Sequence, residues 1–177
     1  VDTGNSRILK LDNDYRLVKE YRGFVQDGEE SSFSNPSGLF VDEKQNLLIA
    51  DTDNQRLVKL DAEGNLLAIY GAPESQLLPE SFDYKPIKVV GDTAGRIFVV
   101  SQGFNRGLLE LDRNGKFVQM LGASEAVYSL ADRIWRAFST KAQIDRMASF
   151  VPTEYNNVSI DSEDFIFTTT GTDTATP

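Results

Sequence analysis

Short apolar runs alternate with polar turn residues along most of the chain. Within residues 35–72 four such runs, rich in Leu, Ile and Val, occupy positions 38–41, 46–50, 56–61 and 65–70. Runs of this length, bounded by Asp, Asn and Gly, are typical of β-strands joined by turns. They are apolar on both faces, as expected of a sheet covered on both sides. The pattern therefore predicts a four-stranded meander.

The same pattern returns in residues 85–123. Asp42 lies nine positions before Asp51 in the first unit, and Asp92 lies nine positions before Ser101 in the second. A four-stranded unit of roughly 40–45 residues, repeated along a chain, is typical of the blade of a β-propeller. The predicted fold class is therefore all-β, with propeller blades.

Both ends of the sequence carry half of this unit. Residues 2–12 copy its second half, so residues 1–24 are predicted to be the last two strands of a blade. Asp161 matches Asp42, so residues 157–170 are predicted to be the first two strands of another. Joining the halves would complete only a third blade, whereas propellers typically have about four to eight. We therefore expect an incomplete ring, a window from a propeller of about six blades and roughly 250 residues or more.

Residues 124–150 break the period. Val127, Leu130, Ile134 and Phe138 recur at helical spacing, which predicts a helical hairpin inserted between blades. The predicted organisation is a single propeller segment with five parts: a half blade at 1–24, blades at 33–72 and 82–123, the helical insertion at 124–150 and a half blade at 151–177.

Composition narrows the chemistry. The chain has no cysteine and no histidine, which excludes disulfides, thiolate metal sites and histidine-dependent catalysis from these residues. The formal net charge of −9 disfavours nucleic acid as a partner, because a negative surface repels phosphates. No apolar run approaches the roughly 18 residues of a membrane span.

The first full unit resembles the NHL repeat. The matching residues are Pro36, Gly38, Val41, Asp42, Ala50, Asp51, Asn54, Arg56 and Asp61, and in the first half blade Asp2, Asn5, Arg7 and Asp12. The second full unit departs from the pattern, since Ser101 replaces the aspartate. The insertion and the segment after it resemble a group of NHL-repeat proteins from Gram-positive bacteria, often secreted or surface-attached and loosely labelled gluconolactonase-like. This resemblance implies an extracellular or cell-surface location in a bacterium.

Three arginines follow the Asp-x-x-Asn loop at nearly fixed spacing: Arg7, Arg56 and Arg106. They could form a ring of ligand-binding guanidiniums. They could also brace each loop by pairing with a carboxylate. A residue repeated in every blade usually holds the blade together, so the pattern favours the brace.

The candidate ligand-binding residues are Trp135, Glu154, Tyr155, Asn156 and Asn157. Aromatic rings beside amides suit sugars or peptides, which they bind by stacking and hydrogen bonding. Trp135 also lies on the apolar stripe of the predicted insertion, where it could simply fill the packing face.

These features favour a non-enzymatic binding or scaffold module for a protein, peptide or glycan, with no catalytic residue, resident metal or cofactor. The alternative is a lactonase or esterase that depends on a divalent metal. Resemblance to gluconolactonase-type propellers implies a divalent cation such as calcium, held by oxygen ligands. The residues available for it here are Glu154, Asn156, Asn157, Asp51 and Asp53.

Overall fold

The computed structural model describes residues 1–79, 81–122 and 154–170. In these ranges the chain is all-β, and its strands form antiparallel sheets. Two sheets are four-stranded meanders. The first contains β5 (Pro36–Val41), β6 (Leu47–Asp51), β7 (Arg56–Leu60) and β8 (Leu66–Tyr70). The second contains β9 (Pro86–Gly91), β10 (Ile97–Ser101), β11 (Leu108–Leu111) and β12 (Phe117–Leu121). The strand pattern read from residues 35–72 is therefore confirmed.

Three further sheets have two strands each. They are β1 (Ile8–Leu11) with β2 (Leu17–Tyr21), β3 (Gly23–Gln26) with β4 (Glu29–Ser32), and β13 (Tyr155–Ile160) with β14 (Ile166–Thr170). A 3₁₀ turn at Thr3–Asn5 precedes β1.

The central strand β6 shows how the sheets stack. Leu47 and Ile49 pack against residues of β1 and β2, on one face of the sheet. Leu48 and Ala50 point to the other face, where they pack with Val99 and its neighbours in the β9–β12 sheet. This alternation follows from the two-residue period of a strand. Every residue of β6 is consequently buried.

Strand β10 repeats the arrangement one sheet further on. Ile97 and Val99 face the β5–β8 sheet, and Phe98 and Val100 face Val158 of β13. The sheets therefore stand side by side as consecutive wedges, with a hydrophobic layer between each pair. This is a segment of a β-propeller with an unclosed ring, which confirms the predicted fold class.

The residue six positions after the turn aspartate shows which sheets are covered by a following sheet. Leu48, Phe98 and Phe167 each follow the aspartate of their turn by six residues and point to the same side of successive sheets. Leu48 is 5% exposed and Phe98 is 1% exposed, because the next sheet covers each of them. Phe167 is 56% exposed.

Within the described residues, six equivalent turns join neighbouring strands. Each starts at an aspartate whose carbonyl accepts the N–H three residues later and whose Oδ1 accepts the N–H four residues later. The six aspartates are Asp12, Asp42, Asp61, Asp92, Asp112 and Asp161. The residue three positions on has positive φ in every case. Gly64 takes this conformation as predicted, whereas Gln45, at φ 64°, takes it with a side chain.

The β3–β4 hairpin is a feature that the sequence analysis missed, since residues 25–32 had no predicted element. Asp27 and Gly28 form its turn, both with positive φ (52° and 86°), as a type I′ turn requires. The Asp-Gly pair is a hairpin signal in the sequence, but the blade repeat has no counterpart to it.

The predicted helical hairpin at 124–150 lies outside the described residues. Within the described ranges, no helix is long and apolar enough to cross a membrane.

Candidate functional site

The best-formed polar cluster is the loop between β6 and β7. The carboxylate of Asp51 is fully buried, and its Oδ2 accepts hydrogen bonds from Arg56 Nε at 2.8 Å and Asn54 Nδ2 at 2.8 Å. Its Oδ1 accepts the backbone N–H of Ser34 at 2.7 Å. Arg56 Nη2 also reaches the carbonyl of Ser32 in β4. The carboxylate is therefore fully engaged, and it ties the loop to the preceding hairpin.

The first half blade repeats this cluster in a more exposed form. Arg7 Nε donates to Asp2 Oδ2 at 2.6 Å, and Asn5 donates to the same carboxylate. Arg7 Nη1 reaches Glu20 at 3.2 Å. The hydrogen bonds from Arg7 and then Asn5 lower the pKa of Asp2 below its usual value. Arg7 and Arg56 are thus loop braces, the structural alternative that the sequence favoured.

In the second full blade, a serine takes the place of the brace aspartate. Ser101 is buried, and its hydroxyl accepts the backbone N–H of Lys85 at 3.0 Å, much as Asp51 accepts that of Ser34. Arg106 is exposed, and within the described residues it forms no ion pair. A hydroxyl offers no charge for an arginine to pair with, so the brace seen at Asp51 and Arg56 has no counterpart here.

Two threonines carry a contact that the sequence analysis did not anticipate. Thr3 Oγ1 donates to the carbonyl of Pro36 at 2.8 Å, and Thr52 Oγ1 donates to the carbonyl of Pro86 at 2.7 Å. Each threonine follows the brace aspartate and reaches the first strand of the next sheet. The repeated Asp-Thr pair was the available signal, but only the packing of neighbouring blades shows its partner.

The predicted site residues lie in different surroundings in the structure. Tyr155 is half-buried, and its hydroxyl donates to the carbonyl of Gly122 at 3.1 Å. Asn156 is exposed at a β-bulge, where its Oδ1 accepts the Thr169 hydroxyl at 2.6 Å. Glu154 is exposed just before β13. Tyr155 and Asn156 therefore take part in hydrogen bonds within the chain, and their role in ligand binding stays a prediction. Trp135 lies outside the described residues.

Asn157 is placed differently, because it lines a groove formed by the first strand of three sheets. This inner-strand groove has a volume of about 740 Å³. It is lined by residues 37–40 of β5, 88–90 of β9 and 157–160 of β13, together with Val1 and Thr3. Strand β9 lies between the other two, and each of the three strands is at an edge of its sheet. The groove is thus the concave surface on which the blades converge.

Two of the oxygen ligands proposed for a divalent cation, Asp51 and Asn156, already accept hydrogen bonds within the chain. Asp51 already has both carboxylate oxygens occupied by hydrogen bonds from Arg56, Asn54 and Ser34. Asn156 is held by Thr169. In the described part of the chain, no three acidic side chains are close enough together to hold a metal ion.

Comparison with known proteins agrees with a propeller. A streptogramin B lyase structure superposes with a TM-score of 0.56 at 14% identity, covering 96% of this chain and 43% of that one. Virginiamycin B lyase from Staphylococcus aureus gives a TM-score of 0.54 at 10% identity, covering 95% of this chain and 43% of that one. At such identities the likeness concerns the fold alone, and the class of protein is a β-propeller.

A sequence relative is also known. Protein brain tumor of Drosophila melanogaster is 30% identical over 98 residues, which make up 54% of this chain and 9% of that protein. No protein-family model matches the chain. The chain spans less than half the length of the two lyase structures and a small part of the Drosophila protein.

Proposed function

We propose that this chain is a non-enzymatic binding module that holds a protein, peptide or glycan in the inner-strand groove. The observation that carries the proposal is the groove itself, about 740 Å³ in volume and lined by three edge strands. Concave surfaces with a few polar groups on a rigid scaffold are the usual places for ligands. The scaffold here is rigid because each sheet is packed against its neighbours.

The aspartates repeated in the loops argue against catalysis at those loops, because their carboxylates are engaged in hydrogen bonds within the chain. Asp51 is saturated by three donors, and Asp2 is engaged by Arg7 and Asn5. These carboxylates therefore hold the blades in shape. By contrast, Asn157 and Ser159 are exposed residues of the groove lining, and their side chains form no hydrogen bond within the described residues.

We also propose that the blades are of the NHL type. The support is the shared pattern at Asp51, Asn54 and Arg56, whose side chains make the repeated brace. The equivalent brace at Asp2 and Arg7 agrees with it.

The proposal is tested by binding measurements on the purified 177-residue chain. Glycan and peptide arrays would supply ligands, and titration calorimetry would compare the wild type with an Asn157→Ala, Ser159→Ala double variant. Asn114→Ala, on the β11–β12 turn away from the groove, is the matched control. We expect the double variant to lose at least about tenfold in affinity and the control to keep it. Equal binding by all three proteins would place the ligand elsewhere.

The lactonase alternative is tested on the same preparation. Lactone hydrolysis by the chain that disappears with a chelator and returns with calcium or zinc would overturn the binding-module proposal.

A further inference from the structure

The β3–β4 hairpin borders a second groove, apart from the inner-strand groove. This hairpin groove has a volume of about 740 Å³. It is lined by residues 22–27, which include the whole of β3, by residues 30–32 of β4, and by residues 64–66 at the turn into β8. None of these residues lines the inner-strand groove. Within the described residues, the connection from β8 to β9 forms no such hairpin, so the blade repeat itself does not require one.

One edge of β3 has free backbone groups. The carbonyl of Arg22 accepts the N–H of Phe33, which makes these two residues a hydrogen-bonded pair at the base of the hairpin. Such pairs alternate with non-bonded ones along an antiparallel ladder. The N–H and C=O groups of Gly23 and Val25 therefore point away from β4, and within the described residues they form no hydrogen bond. An edge of this kind is a template for pairing with another extended chain.

The side chains beside this edge are partly apolar. Val25 is 58% exposed, and it lies opposite Glu30 in the ladder, so both side chains are on the same face of the hairpin. Leu66, from the other wall of the groove, is half-buried. A strand added beside β3 would place every second side chain on the Val25 face. The edge therefore suits a segment that alternates apolar with polar residues.

The charges around the hairpin groove are mostly negative. Arg22 lines the groove, but its guanidinium pairs with Glu20 at 2.6 Å. Four exposed acidic residues form no ion pair within the described part of the chain: Asp27, Glu29, Glu30 and Glu63. Since the chain has a net charge of −9, these residues repel a second copy of it and protect the edge from self-pairing. The same charges attract a basic partner.

We infer that the hairpin groove binds a basic, extended peptide segment as an added strand beside β3. Backbone hydrogen bonds to Gly23 and Val25 supply the pairing, as in other cases of strand addition. The carboxylates of Glu29 and Glu30 favour lysine or arginine side chains on the peptide. This site is separate from the inner-strand groove, and its ligand is additional to the one proposed for that groove.

The test uses titration calorimetry at low salt on the purified 177-residue chain. The probe is the peptide Lys-Val-Lys-Val-Lys, blocked at both ends, and Gln-Val-Gln-Val-Gln is its neutral analogue. Wild type should bind the basic peptide at least about tenfold more tightly. Two further probes carry N-methyl groups either on both valines or on the lysines, so each blocks one edge of the peptide. Only one of them should lose binding, because only one edge of an added strand faces β3.

Variants of the protein test the same contacts. The Glu29→Gln, Glu30→Gln double variant should bind the basic peptide at least about threefold more weakly. The matched control is the Glu43→Gln, Glu163→Gln double variant, which removes two exposed acidic residues outside the groove and should bind like the wild type.

A change at the edge itself tests the strand pairing. Val25→Pro removes an N–H that points away from β4, so it should abolish binding and leave the hairpin ladder in place. Val25→Ala should keep much of the affinity, because the N–H remains. Circular dichroism melting of each variant checks that it is folded, and the N-methylated peptides test the edge without any change in the protein.

Several results would overturn the inference. Equal affinity for the basic and the neutral peptide would remove the role of the charges, and equal binding of the two N-methylated peptides would exclude strand addition. Equal losses in the two glutamate double variants would indicate a general attraction rather than a site. Loss of peptide binding in the Asn157→Ala, Ser159→Ala double variant would place the peptide in the inner-strand groove. If the wild type does not bind the basic peptide, this site is rejected and the proposal for the inner-strand groove still stands.

Discussion

Arg56 donates from Nε to Oδ2 of Asp51 at 2.8 Å, and the side chain of Asp51 has no exposed surface. The guanidinium also lies over the ring of Phe24, 5.0 Å from its centroid, and bonds to Ser31 and Ser32 of the β3–β4 hairpin. The pair therefore fastens the blade loop and the hairpin to one buried point.

Removing Arg56 should be costly, because the buried carboxylate of Asp51 would lose its counter-charge. We expect Arg56→Ala to lower the free energy of unfolding by about 3–5 kcal/mol. The matched control is Arg7→Ala, whose carboxylate partner, Asp2, is partly exposed at 29% and can be rehydrated. Urea unfolding followed by fluorescence measures both. A loss for Arg56→Ala no larger than that for Arg7→Ala would contradict the brace.

Phe98 and Phe167 occupy the same register position in successive sheets, but only Phe98 is covered by a neighbouring sheet. Phe98→Ala should cost about 3–5 kcal/mol, because it opens a cavity between two sheets. Phe167→Ala should cost below about 1 kcal/mol, because that ring is already 56% exposed. Thermal unfolding of the two variants gives the comparison. Similar large losses would show that another surface covers Phe167 in solution.

Replacing Gln45 with glycine should stabilise the fold, because the backbone of Gln45 is in the left-handed region at φ 64°. We expect Gln45→Gly to raise the free energy of unfolding by about 1 kcal/mol. Lys44→Gly, one residue earlier in the same turn, should instead lower it slightly, because glycine there only adds freedom to the unfolded chain. Chemical denaturation that shows the opposite order would refute the assigned turn geometry.

Acid should destabilise the chain through its turn and brace aspartates. The hydrogen bond from the Asn65 side chain lowers the pKa of Asp61 from 3.8, and Arg7 and Asn5 lower that of Asp2. Burial raises the pKa of Asp42, but the hydrogen bonds from Asn46 and Lys59 together lower it below 3.8. A depressed folded-state pKa contributes stability that is complete above the unfolded value and is lost as the pH falls through the folded one.

The urea midpoint should therefore stay level above about pH 5 and fall steadily below about pH 4. Asp61→Asn should make this fall shallower, since one of the carboxylates that must be protonated is gone. A midpoint that rises on acidification would contradict the lowered pKa values.

The sequence determined the blades. Apolar runs of strand length, repeated with an aspartate at each turn, fix the local geometry through short-range hydrogen bonds and the two-residue strand period. The brace followed for the same reason, since Asp51, Asn54 and Arg56 are neighbours in the chain. The hairpin at Asp27 and Gly28 was also readable, but it did not match the repeat.

Only the tertiary structure decided which polar residues bond to one another across the chain. Tyr155 and Asn156, predicted from the sequence to bind a ligand, also bond Gly122 and Thr169, and the Tyr155–Gly122 contact joins residues that are far apart along the chain. The groove itself has no sequence signature, because its lining comes from strands that are far apart along the chain. Exposure and unpaired charge depend on how separate sheets pack, and no local pattern encodes that packing.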